Sequence, residues 1–234
     1  MVWVLSAQYS RTNRLHTYNL VILHNNIMQD RQSKTIKRSS PRRELNKQAT
    51  RAAILRAARR LFAKEGYAET QLQAVVREAG VTTGAVYDHF GDKKSLFRAV
   101  AELAEREILQ RLAKATRGTR DPWSKLDTAT MAMLEICSEP GIRQIVFLDA
   151  PNVIGAAEWH AIELRHSYGA MREVLGQLSA AGEIRRVPVD VLAPMLLGAL
   201  IAAANNVALA EDTTAALTHA REVASIFLQA LRVK

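Results

Sequence analysis

The sequence predicts an all-α fold with a small N-terminal helical domain and a larger C-terminal helical domain. Apolar residues recur three and four positions apart over most of the chain, which is the spacing of one helix face. Only 11 Gly and 6 Pro interrupt 234 residues, and a hydrophobic content of 48% suffices for a sizeable core. The alternating pattern of a strand is not seen, so helices are expected to form the regular structure.

The first 47 residues are predicted to be a flexible basic arm. Residues 1–40 show no sustained period and carry six Lys or Arg against one acid. Met28 offers a second plausible start, so residues 1–27 either belong to the native protein or extend it wrongly. The basic stretch after Met28 either reaches into a nucleic-acid minor groove or is a solvated tail.

The net charge of +9 is concentrated in the first hundred residues. Residues 41–100 carry twelve basic and six acidic side chains, whereas residues 101–234 carry fourteen and sixteen. A basic end on a near-neutral body indicates that this end meets a polyanion, either nucleic acid or an anionic membrane. No secretory signal is recognisable, and the apolar run 191–204 is short for a bilayer span. We therefore expect a cytoplasmic protein with no membrane partner.

Two helices are predicted between Asn46 and Ala79. The first ends at Gly66, and the second covers residues 71–79, opened by a capping box of Thr70 and Gln73. The apolar stripe of the first helix is formed by Ile54, Ala57, Ala58, Leu61 and Phe62.

Two further helices follow Gly80. Thr82 or Thr83 is expected to cap the third helix, which ends at Phe90. Gly91 then separates it from a fourth helix. The apolar stripe of the fourth helix contains Leu96, Val100, Leu103 and Ile108.

The C-terminal part also has the pattern of helices. Asp121 followed by Pro122 is a typical helix start. A loop is expected at residues 149–152. The predicted helices cover residues 122–137, 140–148, 156–181, 189–210 and 215–231.

The second and third helices have the lengths and the glycine-bearing turn of a helix-turn-helix over residues 71–90. Small residues stand where the two helices meet, namely Ala79, Gly80 and Ala85. Because the apolar residues of the third helix are expected to pack against the rest of the domain, its outer face is expected to be free to enter a major groove.

The run AGVTTGAVYDHFGDKKSL, residues 79–96, resembles the signature of TetR-type transcriptional regulators. That signature reads in outline A-G-V-S/T-x-G-x-L/I/V-Y-x-H/Y-F-x-x-K-x-x-L, and the resemblance covers about residues 48–108. It implies a three-helix DNA-binding domain at 48–108 and a larger ligand-binding and dimerisation domain at 109–234. It also implies a sequence-specific regulator, most often a repressor, that a small ligand releases from a palindromic operator.

The resemblance also implies which residues contact DNA. Tyr87 and His89 match positions that usually hydrogen-bond phosphates, and Lys93 matches a lysine that contacts the backbone. A core position for Tyr87 and a merely solvated His89 or Lys93 are the alternatives. The predicted DNA-binding set is Thr70, Gln71, Thr82, Thr83, Gly84, Tyr87, Asp88, His89 and Lys93.

Two positions depart from the family pattern. Val76 stands where the family often has Ala, which predicts slightly looser packing of the second helix. Asp88 places an acid on the reading face, where phosphates repel it unless it accepts a hydrogen bond from a cytosine amino group.

The last two helices predict a homodimer. The helix at 189–210 is apolar almost all round, and the helix at 215–231 has an apolar stripe of its own. One domain of about 130 residues buries two such helices only with difficulty, so a four-helix interface between subunits is expected. Burial within one chain is the alternative. A two-fold dimer requires a palindromic operator.

Large side chains in the C-terminal part predict a pocket for an apolar or aromatic ligand, although core packing explains them about as well. Asn205 interrupts an apolar helix and serves either an interface hydrogen bond or a ligand. The predicted pocket residues are Trp123, Met131, Phe147, Trp159, Tyr168, Met171 and Asn205.

No motif indicates an enzyme, a metal site or a bound cofactor. Cys137 lies in an apolar stretch and is predicted to be an inert buried thiol. His160, Glu163 and His166 have a metal-like spacing, but helical residues six apart point about 240° from one another, so surface polarity is the favoured interpretation. A non-specific DNA-binding or adaptor protein is the remaining alternative class, which sequence specificity would exclude.

Overall fold

A computed structural model describes residues 41–233, and the all-α prediction is confirmed over that range. Ile184 and Arg232 form a single antiparallel bridge there, with no strand around it. The helices are α1 Pro41–Glu69, α2 Leu72–Ala79, α3 Thr83–Phe90, α4 Lys93–Ala115, α5 Pro122–Ser138, α6 Pro140–Ile142, a π-helix Arg143–Asp149, α7 Ala150–Ile154, α8 Ala156–Ala180, α9 Val189–Leu209 and α10 Thr213–Gln229.

The first helix begins earlier than the sequence predicts. α1 starts at Pro41, so residues 41–47 of the predicted arm are helical. Pro is well tolerated in the first turn of a helix, and Glu44 in that turn complements the positive end of the helix dipole. The predictions for residues 1–40, including the second start at Met28, lie outside the described residues.

The regular path of α1 is interrupted at Gly66, where the backbone adopts φ 77° and ψ 169°. Glycine adopts a positive φ without steric cost, so the predicted break occurs at this residue. The hydroxyl of Thr70 donates to the Gly66 carbonyl at 2.7 Å. Gln71 precedes α2 as its N-cap residue but makes no side-chain capping bond. The capping box predicted for Thr70 and Gln73 is therefore wrong.

Three aromatic rings hold the N-terminal helices together. Phe62 and Tyr67 each pack edge-on against Phe97 of α4, with ring centroids 5.1 Å apart in both pairs. Val75 of α2 and Val86 of α3 are buried against the same core. Because each such side chain contributes about 1.5–3 kcal/mol on burial, this cluster fixes α2 and α3 on the scaffold.

Helix α4 runs through the boundary predicted at residues 108 and 109. It begins beside the helix-turn-helix at Lys93 and continues to Ala115, packing against α5, α7, the π-helix and α8. The N-terminal and C-terminal parts therefore share one continuous helix. Its buried face contains Leu96, Phe97, Val100, Ala101, Ala104, Glu105 and Ile108.

The C-terminal part is built around α9, which packs against α5, α8 and α10. Within residues 41–233, α9 is the one helix long and apolar enough to cross a membrane by length and composition. Its packing against three helices buries 39% of its most apolar 18-residue stretch. The largest buried side chains of this part include Leu134, Ile162, Leu175, Leu178, Leu196 and Leu228.

Residues 140–154 form one continuous helical segment, so the loop predicted at 149–152 is wrong. Pro151 lies at the junction of the π-helix and α7 and has no N–H to donate to the preceding turn. The Asn152 side chain donates to the Leu148 carbonyl at 2.7 Å, which ties α7 to the preceding π-helix. At the end of the π-helix, Asp149 accepts the backbone N–H of Tyr67 at 2.8 Å.

Candidate functional site

The turn between α2 and α3 is closed by backbone and threonine hydrogen bonds. Gly80 has φ 65°, and the N–H groups of Gly80 and Val81 bond the last carbonyls of α2. The Thr82 hydroxyl accepts the N–H of Ala85 at 3.2 Å. Thr82, rather than Thr83, is therefore the cap of α3. This leaves Thr83 exposed in the first turn of the helix.

The outer face of α3 is open to solvent. Thr83, Gly84 and Asp88 are exposed, and the Tyr87 side chain is 53% exposed. The alternative of a core position for Tyr87 is therefore excluded, whereas His89 is half-buried. A helix with its side chains is about 10–12 Å in diameter, which suits a major groove about 12 Å wide.

Lys93 is held in place at the start of α4. Its ammonium group lies 4.4 Å from the centre of the Tyr67 ring and donates to the Ala68 carbonyl at 3.3 Å. The preceding Asp92 caps α4 by accepting the N–H of Ser95 at 2.6 Å, and hydrogen bonds from Ser95 lower the pKa of Asp92. Lys93 is therefore a positioned cation rather than a freely moving surface charge.

The remaining predicted contacts, Thr70 and Gln71, lie in different environments. Gln71 is exposed just before α2. Thr70 is only 1% exposed, and its hydroxyl is already bonded to Gly66. The prediction of Thr70 as a DNA-contacting side chain is therefore corrected, because a buried and bonded hydroxyl cannot reach a phosphate.

Arg51 is a cation at this surface that sequence reasoning did not include. Its guanidinium lies 5.0 Å from the centre of the Phe90 ring at the end of α3. The available signal was the run of arginines on the polar side of α1, but sequence alone does not show which of them reaches α3. Arg60, by contrast, pairs with Glu78 of α2.

A cavity of about 570 Å³ lies among α4, α5, α8 and α9. Its size falls within the range of small-molecule sites, and most of its lining is aliphatic. Thr130 on its wall is 2% exposed, and its hydroxyl has no hydrogen-bond partner in the described part of the chain. A buried hydroxyl left unpaired costs about 1–3 kcal/mol.

The predicted pocket residues are mostly placed elsewhere, and Met171 is the one that lies on the cavity wall. Arg232 covers the Trp123 ring at 4.9 Å, and the Tyr168 hydroxyl donates to Asp190 at 3.3 Å. Phe147 lies on the wall of a small recess next to this cavity, and Met131 lines a separate, open cleft. Trp123, Trp159, Tyr168 and Asn205 line neither the cavity nor the recess.

The wall is formed instead by smaller aliphatic side chains that the sequence did not distinguish from the core. Large residues are easy to find in a helix, but the face that each presents depends on how the helix is rotated against its neighbours. Sequence reasoning therefore missed Leu109, Leu112, Val174, Leu197 and Leu200.

Two buried carboxyl groups lie in a recess of about 40 Å³ next to this cavity. Glu105 is 6% exposed and has no hydrogen bond or ion pair within residues 41–233, and burial raises its pKa to about 8. Burial also raises the pKa of Glu163, whose carboxylate lies 3.5 Å from His160 Nδ1. The surface interpretation of Glu163 is therefore wrong.

The same recess contains Cys137, which is buried as predicted. Burial, together with the neighbouring Glu105 and Glu163 carboxyl groups, raises the pKa of the thiol well above its ordinary value. The described residues contain no group of three His, Cys, Asp or Glu side chains able to hold a metal ion.

A threonine-capped, exposed helix braced by a second helix and flanked by positioned cations defines a DNA-binding protein of the helix-turn-helix class. The exposed side chains of this helix suit contacts with the DNA backbone and with base edges alike. Hydroxyl, phenol and ammonium groups are the donors that usually meet phosphates.

Comparison with known proteins agrees with this class. The family described as "Bacterial regulatory proteins, tetR family" matches residues 54–100, and "Tetracyclin repressor-like, C-terminal domain" matches residues 123–231. The regulator AcrR of Shigella flexneri is 40% identical over 89 residues, which cover 38% of this chain and 41% of AcrR.

Solved structures extend the similarity to the C-terminal part. A TetR-family regulator from Pectobacterium atrosepticum is 33% identical, covers 81% of this chain and 97% of its own, and has a TM-score of 0.74. RolR in complex with resorcinol is 25% identical, with 78% and 96% coverage and a TM-score of 0.60.

The chain belongs to the TetR family of transcriptional regulators. The family is one of DNA-binding regulators rather than enzymes. The match to AcrR spans about two fifths of that relative's length, 41%, and is confined to part of each chain.

Proposed function

We propose that this protein is a cytoplasmic, homodimeric repressor that leaves a palindromic operator when a small, largely apolar ligand fills the cavity. The exposed outer face of α3, from Thr83 to Asp88, is the observation that carries the proposal. It is the surface within residues 41–233 that combines a capped helix start with hydrogen-bonding side chains and adjacent positioned cations.

On DNA, α3 lies in the major groove with its N-terminal turn towards the bases. Thr83 meets a base edge or a phosphate, and Tyr87 donates to a phosphate. Lys93 contacts the backbone on leaving the Ala68 carbonyl, which is a weaker acceptor than a phosphate oxygen. Asp88 accepts from a cytosine amino group, because elsewhere on this face phosphates would repel it.

The dimer forms through an exposed apolar face of α9 and α10, which pack against each other. On this face, Met195 of α9 is 68% exposed and Ile226 of α10 is 70% exposed. A contiguous apolar patch of this kind marks an interface, and two helices from each subunit make a four-helix arrangement. The large exposed residues of the face are Val191, Met195, Leu209, Val223, Ile226 and Phe227.

Ligand release follows from the continuity of α4. The same helix lines the cavity with Leu109 and Leu112 and carries Lys93 at its start. A ligand shifts the protein away from the operator-binding arrangement only if it binds another arrangement more tightly. The resorcinol bound by the related RolR supports a small, partly aromatic effector.

Footprinting on the DNA that flanks the gene tests this function. We expect protection of a palindromic site and a preference over random DNA of 10³-fold or more. Protection that ignores sequence would instead favour a non-specific DNA-binding protein. No protection of any flanking fragment at low salt would overturn the proposal.

Lys93→Ala is expected to weaken binding to every DNA sequence by a similar factor. Because each phosphate contact contributes a slope of about 0.9 in log K against log salt, the salt dependence should flatten by about one unit for each Lys93 engaged. Titrations at four salt concentrations measure this slope. The control is Lys114→Ala at the far end of the same helix, where the slope should not change. An unchanged slope in Lys93→Ala would remove this residue from the contacts.

Thr83→Ala is expected to change base preference more than affinity. A side chain that reads a base edge discriminates by about 1–3 kcal/mol, so one position of each half-site should lose its preferred base. Selection from a library with randomised half-sites measures this. The matched control is Thr214→Ala, which removes an exposed threonine from the first turn of α10 and should leave base preference unchanged. Identical preferences in Thr83→Ala and the parent would contradict the assignment.

A further inference from the structure

Glu105 occupies an unusual position for an acidic side chain. It lies on the buried face of α4 between Ala104 and Ile108, with no hydrogen-bond or ion-pair partner in the described range. A carboxyl group in such a place costs several kcal/mol when it is ionised and unpaired. Leu or Met would pack better than Glu at this position. The presence of Glu105 therefore indicates a partner that enters from outside the chain.

The recess that contains Glu105 adjoins the main cavity. The two share wall residues from α4, α5, α8 and α9, so that a molecule in the cavity can extend into the recess. Glu163 of α8 faces the same recess. The shared wall residues are Leu109, Leu112, Met133, Ser167 and Leu197.

Thr130 also lines the main cavity, but its hydroxyl oxygen is buried away from the cavity space. The cavity thus combines an apolar chamber with two carboxyl groups in the adjoining recess.

We infer that the effector is an apolar amine whose ammonium group enters the recess and pairs with Glu105 and Glu163. This inference rests on the proposed function, since it names the chemical class of the ligand that fills the same cavity. Burial raises the pKa of both carboxyl groups, an effect that an entering cation would oppose, and Glu163 already has His160 Nδ1 at 3.5 Å. The entering ammonium supplies N–H donors to both groups, and the proton of Glu105 passes to solvent.

Cations on the cavity wall argue instead for a negatively charged ligand. Arg117, Lys125 and His166 line the main cavity, and they would favour a ligand with a carboxylate. Arg117 is exposed and the other two are half-buried, however. Charges that water reaches interact only weakly, whereas the same charges in a buried recess interact several times more strongly. The buried pair therefore dominates the choice of ligand.

Isothermal titration with three compounds of matched shape tests the inference without DNA. Naphthylmethylamine is expected to bind at least tenfold more tightly than naphthalenemethanol and naphthoate. Glu105→Gln and Glu163→Gln should abolish the preference for the amine while leaving the affinity for naphthalenemethanol within about threefold. Glu173→Gln, on the exposed side of α8, is the matched control and should preserve the preference.

Three results would overturn the inference: naphthoate binding as tightly as the amine, an amine preference that survives both Gln variants, or no binding of the amine up to millimolar concentration. Operator titrations on the same samples separate these failures from failure of the proposed function. If the operator is bound and the amine is not, only the ligand class is wrong. If no operator is bound, the proposed function fails as well.

Discussion

Ile226→Glu is expected to convert the dimer into monomers and to weaken operator binding by 10³-fold or more. Ile226 is the most exposed large apolar residue of α10, and the nearby Val223 and Phe227 of the same helix are exposed as well. In a two-fold interface each substitution occurs twice, so dimerisation would bury two unpaired carboxylates at a cost of several kcal/mol each. A monomer then binds one half-site and loses the contacts of the other.

Sedimentation equilibrium and operator titration on the same samples measure these two effects. Val233→Glu is the control, because Val233 is also exposed but lies beyond the end of α10. It should leave both the dimer and operator binding unchanged. A dimeric Ile226→Glu protein with parental affinity would place the subunit interface on another surface.

Glu105→Gln is expected to stabilise the protein at alkaline pH and to remove much of its pH dependence. The folded-state pKa of Glu105 is about 8, whereas the unfolded value is near 4.3. The folded protein therefore holds a proton on Glu105 between these values that the unfolded chain releases. The contribution of Glu105 to stability is fully present below about pH 4 and is lost as the pH rises through about 8.

The expected loss is about 5 kcal/mol per chain at most, because each unit of the pKa difference corresponds to about 1.4 kcal/mol. Three groups near Glu105 share the recess or its edge, namely Glu163, Cys137 and His160, so some slope should remain in the variant. Urea unfolding between pH 5 and pH 9 at one protein concentration measures the effect.

Glu173→Gln again serves as the control, since it removes an exposed acid from α8 and should reproduce the parental slope. A Glu105→Gln protein with the same loss of stability towards alkaline pH as the parent would show that Glu105 titrates near its ordinary pKa.

The helix-turn-helix could be predicted because its determinants are local. Gly80 closes one helix and Thr82 caps the next within three residues, and the apolar spacing of Val75 and Val86 fixes which face is buried. Local rules also predicted the start of α5, where Asp121 accepts the N–H of Ser124 ahead of Pro122. Signals of this kind do not depend on the rest of the fold.

The cavity could not be predicted because its wall depends on how four helices are rotated against one another. Trp159 is buried but lies outside the wall, whereas the smaller Leu112 and Leu200 form part of it. Glu105 did leave a signal, since it continues the buried spacing of Ala101 and Ala104 on α4. An acid at such a position is more informative than another large apolar residue.

The hydrogen bond from Tyr67 to Asp149 gives the DNA-reading helices a second anchor besides α4. The π-helix that ends at Asp149 also lies against Gly66, where a methyl group would come within 3.0 Å of the Gln144 side chain. A helix pair anchored at one point can rotate in any direction, whereas one anchored at two points can rotate only about the line that joins them. In the proposed dimer, the distance between the two recognition helices would then change along a single direction. Lys93 would move together with the Tyr67 ring that it contacts.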